Sequence, residues 1–222
     1  MDRETAKARA IWSELDRKKK WEYFWYYYRI HVYVGVFVVF LIAVTVRDCA
    51  QRVDADITIA YVGTELQDEA IAQLKATFST YIEDLNNDKK SVVSIVPVLD
   101  ERKLFVMVAV REAQLMFVRK AEFQQYASNG AFLPLDDLIA SSTIDVDAYP
   151  EIRLTPQEAQ EDHIYGIPLE GNVLFTSLGA TMKETYLTML VYNNPEKPHE
   201  VELYTNALAI VKEILTQSTP NP

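Results

Sequence analysis

Cysteine is almost absent: Cys49 is the only one in 222 residues. No disulfide can form within the chain, and no zinc site can be assembled from thiolates. Histidine is scarce too. Of the three, His163 and His199 fall in the body of the chain, 36 positions apart, and neither stands in a metal-ligand spacing. A phosphate-binding glycine loop, a dinucleotide fingerprint, a nucleophile elbow and a His-Glu-x-x-His pair are all missing. There is no internal repeat and no low-complexity stretch. These absences leave no catalytic residues, no metal ligands and no cofactor to assign, and the chain reads as a protein that is not an enzyme.

Positive charge is lacking from most of the chain. The formal net charge is -10, yet residues 1–29 hold eight Lys/Arg against five Asp/Glu, a net of +3, so the remainder carries -13. An acidic body excludes nucleic acid as a partner, because phosphates must be neutralised by Lys and Arg. It also argues against a domain lying flat on an anionic bilayer. At 49% apolar and 24% charged residues, the chain is too apolar to be disordered.

What the sequence does have is one long apolar run. Ile30 to Val46 reads IHVYVGVFVVFLIAVTV without a single Asp, Glu, Lys or Arg, and Phe24, Trp25, Tyr26, Tyr27 and Tyr28 precede it. As a helix, residues 24–46 rise about 35 Å, enough for a hydrocarbon core of about 30 Å. The aromatic rings suit the headgroup level. Arg17, Lys18, Lys19, Lys20 and Arg29 lie just before the span, and only Arg47 and Arg52 lie as near after it. The positive-inside rule therefore puts the N-terminus in the cytoplasm and the C-terminal domain outside the cell membrane, with the bilayer as a partner through residues 24–46. The long polar stretch ahead of the span argues against a cleaved signal peptide. Arg47 and Asp48 before Cys49 argue against a lipidation site. The expected organisation is a cytoplasmic basic segment (1–23), a transmembrane helix (24–46), a linker (47–54) and one extracytoplasmic α/β domain (55–218).

Within that domain, Ile57 to Val62 is a short apolar run closed by Gly63 and reads as a buried strand. Thr64-Glu65-Leu66-Gln67 has the spacing of a capping box, ahead of Leu66, Ala70, Ile71, Leu74, Phe78, Ile82 and Leu85 at helical spacing. Ser91 to Val98 reads as a second strand, Arg102 to Val110 as helix or strand, Leu115 to Val118 as a strand, and Ala121 to Ser128 as a helix ended by Asn129-Gly130. Thr155 to His163 reads as a loop or short helix, Tyr165 to Leu169 as a short strand near an edge, and Phe175 to Lys183 as a turn region. Tyr186 to Tyr192 reads as a strand ended by Asn193-Asn194-Pro195, and Glu200 to Leu215 as an amphipathic helix. The alternation predicts an α/β sheet of parallel strands with helices on its faces. Asp136 after Leu133-Pro134-Leu135 reads as a helix N-cap, and Asp145 with Asp147 as a solvated loop, rather than as cation sites.

Three segments carry a resemblance. AEFQQYASNGAFLPLDDLIA (121–140), YGIPL (165–169) and LVYNNPEKPHEVELYTNALAIVKEIL (190–215) resemble stretches of the extracellular solute-binding proteins of ABC importers. The resemblance implies a single lobe of such a protein. Only about 17 residues separate Leu169 from the returning strand at Tyr186, too few for a second lobe, which as a domain would need about 50. Taken with the expected span, it implies a non-catalytic domain, here membrane-anchored, that binds a small molecule, a peptide or a partner protein; the anchor departs from the family, whose members are more commonly free or lipid-tethered. One alternative is an accessory subunit docking on another membrane complex such as a transporter; another is an enzyme of unknown type. Open α/β sheets place ligands at the carboxyl ends of their strands, so Tyr165, Glu170 and Asn172, in the loops that follow the short strand, are the expected contact residues.

Overall fold

A computed structural model of the chain describes residues 16–50, 55–142, 144–156, 161–191 and 196–217. The chain divides near residue 53 into two compact units. Among the described residues the first holds one helix, α1 (Arg17–Ala50), of 34 residues. Its segment Phe24–Arg47 has a mean hydropathy of 2.2 and none of it is buried in protein. By length and composition it is able to cross a membrane. Trp25, Tyr33 and Phe37 stand exposed along it, and Trp21 stacks on Phe24 and Trp25 with ring centroids 6.0 and 6.4 Å apart. The helix continues to Ala50, so the first four residues of the expected linker 47–54 are helical. The rest of that linker, residues 1–15 of the basic segment, the Asn193-Asn194-Pro195 turn and the tail after Gln217 lie outside the described residues.

The second unit is built on a five-stranded sheet. Its elements in chain order are β1 (Ile57–Tyr61), α2 (Asp68–Phe78), β2 (Val93–Pro97), α3 (Glu101–Val110), β3 (Leu115–Arg119), α4 (Lys120–Ser128) and α5 (Asp136–Ala140). There follow β4 (Arg153–Leu154), β5 (His163–Ile164), β6 (Ile167–Pro168), α6 (Val173–Ser177), β7 (Thr185–Met189) and α7 (Pro198–Thr216). The sheet order is β2-β1-β3-β7-β6, and β4 pairs with β5 apart from it. β1 runs parallel to both β2 and β3, in register Ile57↔Val93 and Ile59↔Leu115. β7 runs antiparallel to β3 and to β6. The sheet is therefore mixed, not wholly parallel. The chain passes from β1 through α2 to β2, and from β2 through α3 back past β1 to β3.

β3 is buried at four of five positions and β7 at all five, as central strands covered on both faces must be. Side chains such as Phe78, Phe117, Phe123, Phe132 and Phe175 fill the core. Phe123 stacks between Phe132 and Tyr186, at 6.2 and 5.1 Å. Gly166 lies against that ring, and a Cβ there would meet Phe123 Cε2 at 2.8 Å, so a strand end crosses close over the stack.

Local structure departs from expectation in four places. α2 ends at Phe78, short of the Ile82 and Leu85 that its expected pattern reaches. α2 starts at Asp68 with Gln67 as its N-cap and makes no side-chain cap, so the Thr64–Gln67 capping box does not form. Asp136 sits inside the first turn of α5, with Leu135 as N-cap. The region Phe175 to Lys183, expected as a turn, begins inside a helix, α6 (Val173–Ser177). The ambiguous segment 102–110 is α3, with Asp100 capping it by accepting from the Arg102 N–H.

Candidate functional site

β1, β2, β3 and β6 all point the same way, so their carboxyl ends form one edge of the sheet. That edge carries Val62 to Leu66 after β1, Val98 to Asp100 after β2, Arg119 and Lys120 at the end of β3, and Leu169 to Asn172 after β6. The chain leaves β1 toward β2 and leaves β3 toward β7, and such divergence opens a crevice between strand ends. A concavity of about 240 Å³ lies here, lined by residues that include Gly63, Thr64, Asp100, Arg119 and Glu122. Among its walls are one cation, backbone N–H groups of two loops and several carboxylates.

Tyr61 organises the first wall. Its ring is buried at the end of β1 and its hydroxyl reaches forward into the next loop. The oxygen accepts from the Glu65 N–H at 2.7 Å and the Leu66 N–H at 3.0 Å, while the O–H donates to Glu65 Oε2 at 2.7 Å. Glu65 folds back over Gly63, where a Cβ would lie 2.5 Å from Glu65 Oε2 and 2.6 Å from the Tyr61 hydroxyl. A side chain at position 63 would have to displace the Glu65 carboxylate and the Tyr61 hydroxyl. Glu65 Oε1 then meets Arg119 Nη2 at 3.2 Å. Burial, followed by the bond to Glu65, pushes the Tyr61 phenol up to about 12. Burial of Glu65 opposes its ionisation, but the Tyr61 hydroxyl, the N–H groups of Glu65 and Thr64, and Arg119 together hold its carboxyl below the usual range. Tyr61→Phe strands two loop N–H groups and frees Glu65, so it should destabilise the domain by about 1–3 kcal/mol. Chemical denaturation of wild type and variant measures the difference.

A second cluster lies along the same edge. Glu151 Oε1 accepts from Lys120 Nζ at 2.9 Å and from the Tyr186 hydroxyl at 2.7 Å. These two donors, Lys120 first, bring the Glu151 carboxyl down to about 2 against the opposing effect of its burial. Burial and the same bond raise Tyr186 above the usual phenol range. A carboxyl depressed in the folded state stabilises the fold above its unfolded pKa of about 4.3 and loses that contribution as pH falls toward 2. With Lys120 partly exposed and screened by solvent, the contribution is roughly 1–2 kcal/mol. Glu151→Gln should therefore flatten the fall in melting temperature between about pH 5 and pH 2, read by calorimetry across that range.

Glu122 lines the concavity. Its Oε2 is buried and has no hydrogen-bond partner, and burial together with Glu122 raises the nearby Tyr126.

The sequence-predicted contact residues occupy a different part of this edge, and none of the three lines the 240 Å³ concavity. Asn172 is buried; its Oδ1 accepts from the Leu174 N–H at 3.0 Å and caps α6, and its Nδ2 donates to the Ile214 carbonyl at 2.9 Å. Tyr165 is buried, with its N–H donating to the Ile152 carbonyl and its ring edge-on to His163. Glu170 is exposed on the loop after β6. His163, read from sequence as solitary, lies 3.1 Å from Asp136 Oδ2. Among the described residues no group of three His, Cys, Asp or Glu side chains is placed to hold a metal ion. Sequence reading missed Glu65, Arg119, Lys120 and Glu151, although Arg119-Lys120 at the end of an apolar strand is a visible signal.

No protein family and no curated protein matches the sequence. Two solved structures show a partial likeness. An extracellular solute-binding protein family 1 member from Alicyclobacillus acidocaldarius subsp. acidocaldarius DSM 446 is 17% identical with a TM-score of 0.33, over 50% of this chain and 27% of its own. An ABC transporter solute-binding protein from Agrobacterium vitis S4, with bound D-mannitol, is 21% identical with a TM-score of 0.32, over 51% of this chain and 27% of its own. The chain thus spans about a quarter of the length of either.

Proposed function

We propose that this protein is a membrane-anchored, non-catalytic binding domain. α1 crosses the cell membrane, the basic N-terminal side stays in the cytoplasm, and residues 55–217 stand outside as a single lobe. The lobe binds a small molecule, a peptide or a partner protein along the carboxyl edge of its sheet. The observation that carries this reading is the concavity at the ends of β1, β2 and β3, where Gly63, Thr64, Asp100, Arg119 and Glu122 converge from separate loops. Glu170, on the loop after β6, belongs to the rim of the same edge, and Tyr165 and Asn172 support that loop from beneath. Glu65 and Glu151 are held ionised by their partners, so neither is poised as a proton donor near neutral pH. Their roles are to shape the edge and to fix its charge.

The test is thermal stabilisation of the full chain in detergent by sugars, amino acids, short peptides and divalent ions at millimolar concentration. A ligand at 100 times its Kd stabilises by about 2.7 kcal/mol. The expected result is a saturable rise in melting temperature with at least one class, lost in Arg119→Ala. No rise with any class contradicts small-molecule binding.

A further inference from the structure

The two ends of α1 are unlike in charge. Residues 17–29 hold Arg17, Lys18, Lys19, Lys20 and Arg29 against Glu22, a net of +4, while at the other end Arg47 and Asp48 cancel. The helix is unbroken from Arg17 to Ala50, so the backbone holds the basic positions at a fixed distance from the apolar segment. Positions 17–20 precede Phe24 by about 6–10 Å along the helix axis. That is close to one Debye length, about 8 Å at physiological ionic strength, so their charge is felt at the bilayer surface.

Lys18, Glu22, Trp25 and Arg29 stand at i, i+4, i+7 and i+11 and share one face of α1, and all four are exposed. On that face a hollow of about 370 Å³ is lined by Trp21, Glu22, Trp25, Tyr26 and Arg29. The Trp21 and Trp25 rings are nearly parallel, 16° apart, and Trp25 meets Tyr33 edge-on at 6.0 Å. Tryptophan and tyrosine favour the headgroup level, and a guanidinium offers phosphate two parallel N–H donors. Glu22 is the one carboxylate of the hollow, and Lys18, a single turn before it, offsets its charge.

We propose that this end of α1 selects anionic phospholipids of the cytoplasmic leaflet. Arg29 holds a lipid phosphate in the ring-walled hollow, and the charges at positions 17–20 draw further anionic headgroups to the surface beside it. The inference rests on the reading of α1 as the span with its basic end in the cytoplasm, and it goes beyond anchoring by naming the class of lipid. Basic residues next to a span attract anionic lipids, and the attraction fades within a Debye length. Residues 30–222 carry a net of -13, the sign that repels such lipids, so the preference belongs to one leaflet.

The experiment places the full chain in phosphatidylcholine vesicles that contain a minor fraction of phosphatidylglycerol and reads tryptophan fluorescence. All three tryptophans, Trp12, Trp21 and Trp25, lie in or beside the basic segment. Bromine, a quencher, is carried on the acyl chains of one lipid or of the other at equal mole fraction. Brominated phosphatidylglycerol is expected to quench about twofold more than brominated phosphatidylcholine. The excess is expected to shrink as NaCl rises from about 0.05 M to about 0.5 M. Lys18→Gln, Lys19→Gln and Lys20→Gln made together with Arg29→Gln are expected to abolish the excess and leave quenching by brominated phosphatidylcholine unchanged, since α1 stays inserted. Equal quenching of wild type by the two lipids overturns the proposal. So does an excess that persists both at high salt and in the fourfold variant. Quenching of wild type by neither lipid overturns the span itself, and the proposal with it.

Discussion

Asp56→Ala should destabilise the domain by about 3–5 kcal/mol, and Asn206→Ala by about 2–4 kcal/mol. The reason lies at the amino end of the sheet, opposite the candidate site. Asp56 is buried, and its two oxygens accept from the backbone N–H groups of Leu85 at 2.8 Å and Val92 at 2.7 Å. It thereby ties the long connection after α2 to both β1 and β2. Asn206 on α7, 150 residues away, is buried beside it. Its Oδ1 accepts from the Glu83 N–H at 2.9 Å, and its Nδ2 donates to the carbonyls of Glu83 at 2.9 Å and Asp56 at 3.3 Å. Truncating either buried side chain removes the partners of several half-buried backbone groups at once and leaves a gap between them, the costly side of the hydrogen-bond balance. Because the two share a network, the double variant should lose less than the sum of the single losses. Urea denaturation followed by circular dichroism measures all three. Losses within about 0.5 kcal/mol of zero, the level of an ordinary surface change, would contradict the network.

Val39→Arg combined with Ile42→Arg should remove the chain from the membrane. Both positions lie in the charge-free run Ile30 to Val46, with Val39 beside its centre, and both side chains are exposed in α1. Each arginine near the centre of a span costs about 2.5–3.5 kcal/mol on insertion scales, so the pair costs roughly 5–7 kcal/mol. That offsets much of what a single span contributes, and there is no second span among the described residues to hold the protein. The wild-type chain and a Val39→Leu control should stay with membranes washed at alkaline pH, and the double variant should not. Equal retention of all three would mean that α1 is not the anchor.

Much of the fold is legible in the sequence because short-range patterns decide it. The apolar run 57–62 is β1, the helical spacing of Val201 to Leu215 is α7, and YGIPL holds an edge strand because Pro168 has no N–H to donate to a further neighbour. The mixed sheet was not legible. β7 joins β3 antiparallel through pairs some 70 residues apart, such as Met116 with Thr188, and no local pattern carries strand direction. The capping box at Thr64 fails because a residue outside it, Tyr61, takes both Glu65 and its N–H. Glu151 is one acidic residue among many until the fold brings Lys120 and Tyr186, 31 and 35 positions away, onto one of its oxygens. Asn172 reads as a turn residue exposed to ligands, yet its amide is spent on capping α6 and on α7.

The most direct test of the whole account is protease added to intact cells that make the full chain with a tag at its N-terminus. An anchored domain outside the membrane predicts that residues 55–217 are digested while a tagged fragment ending near α1 survives in the membrane fraction. A C-terminal domain left whole until the cells are broken, or a full chain recovered in solution without detergent, would contradict it.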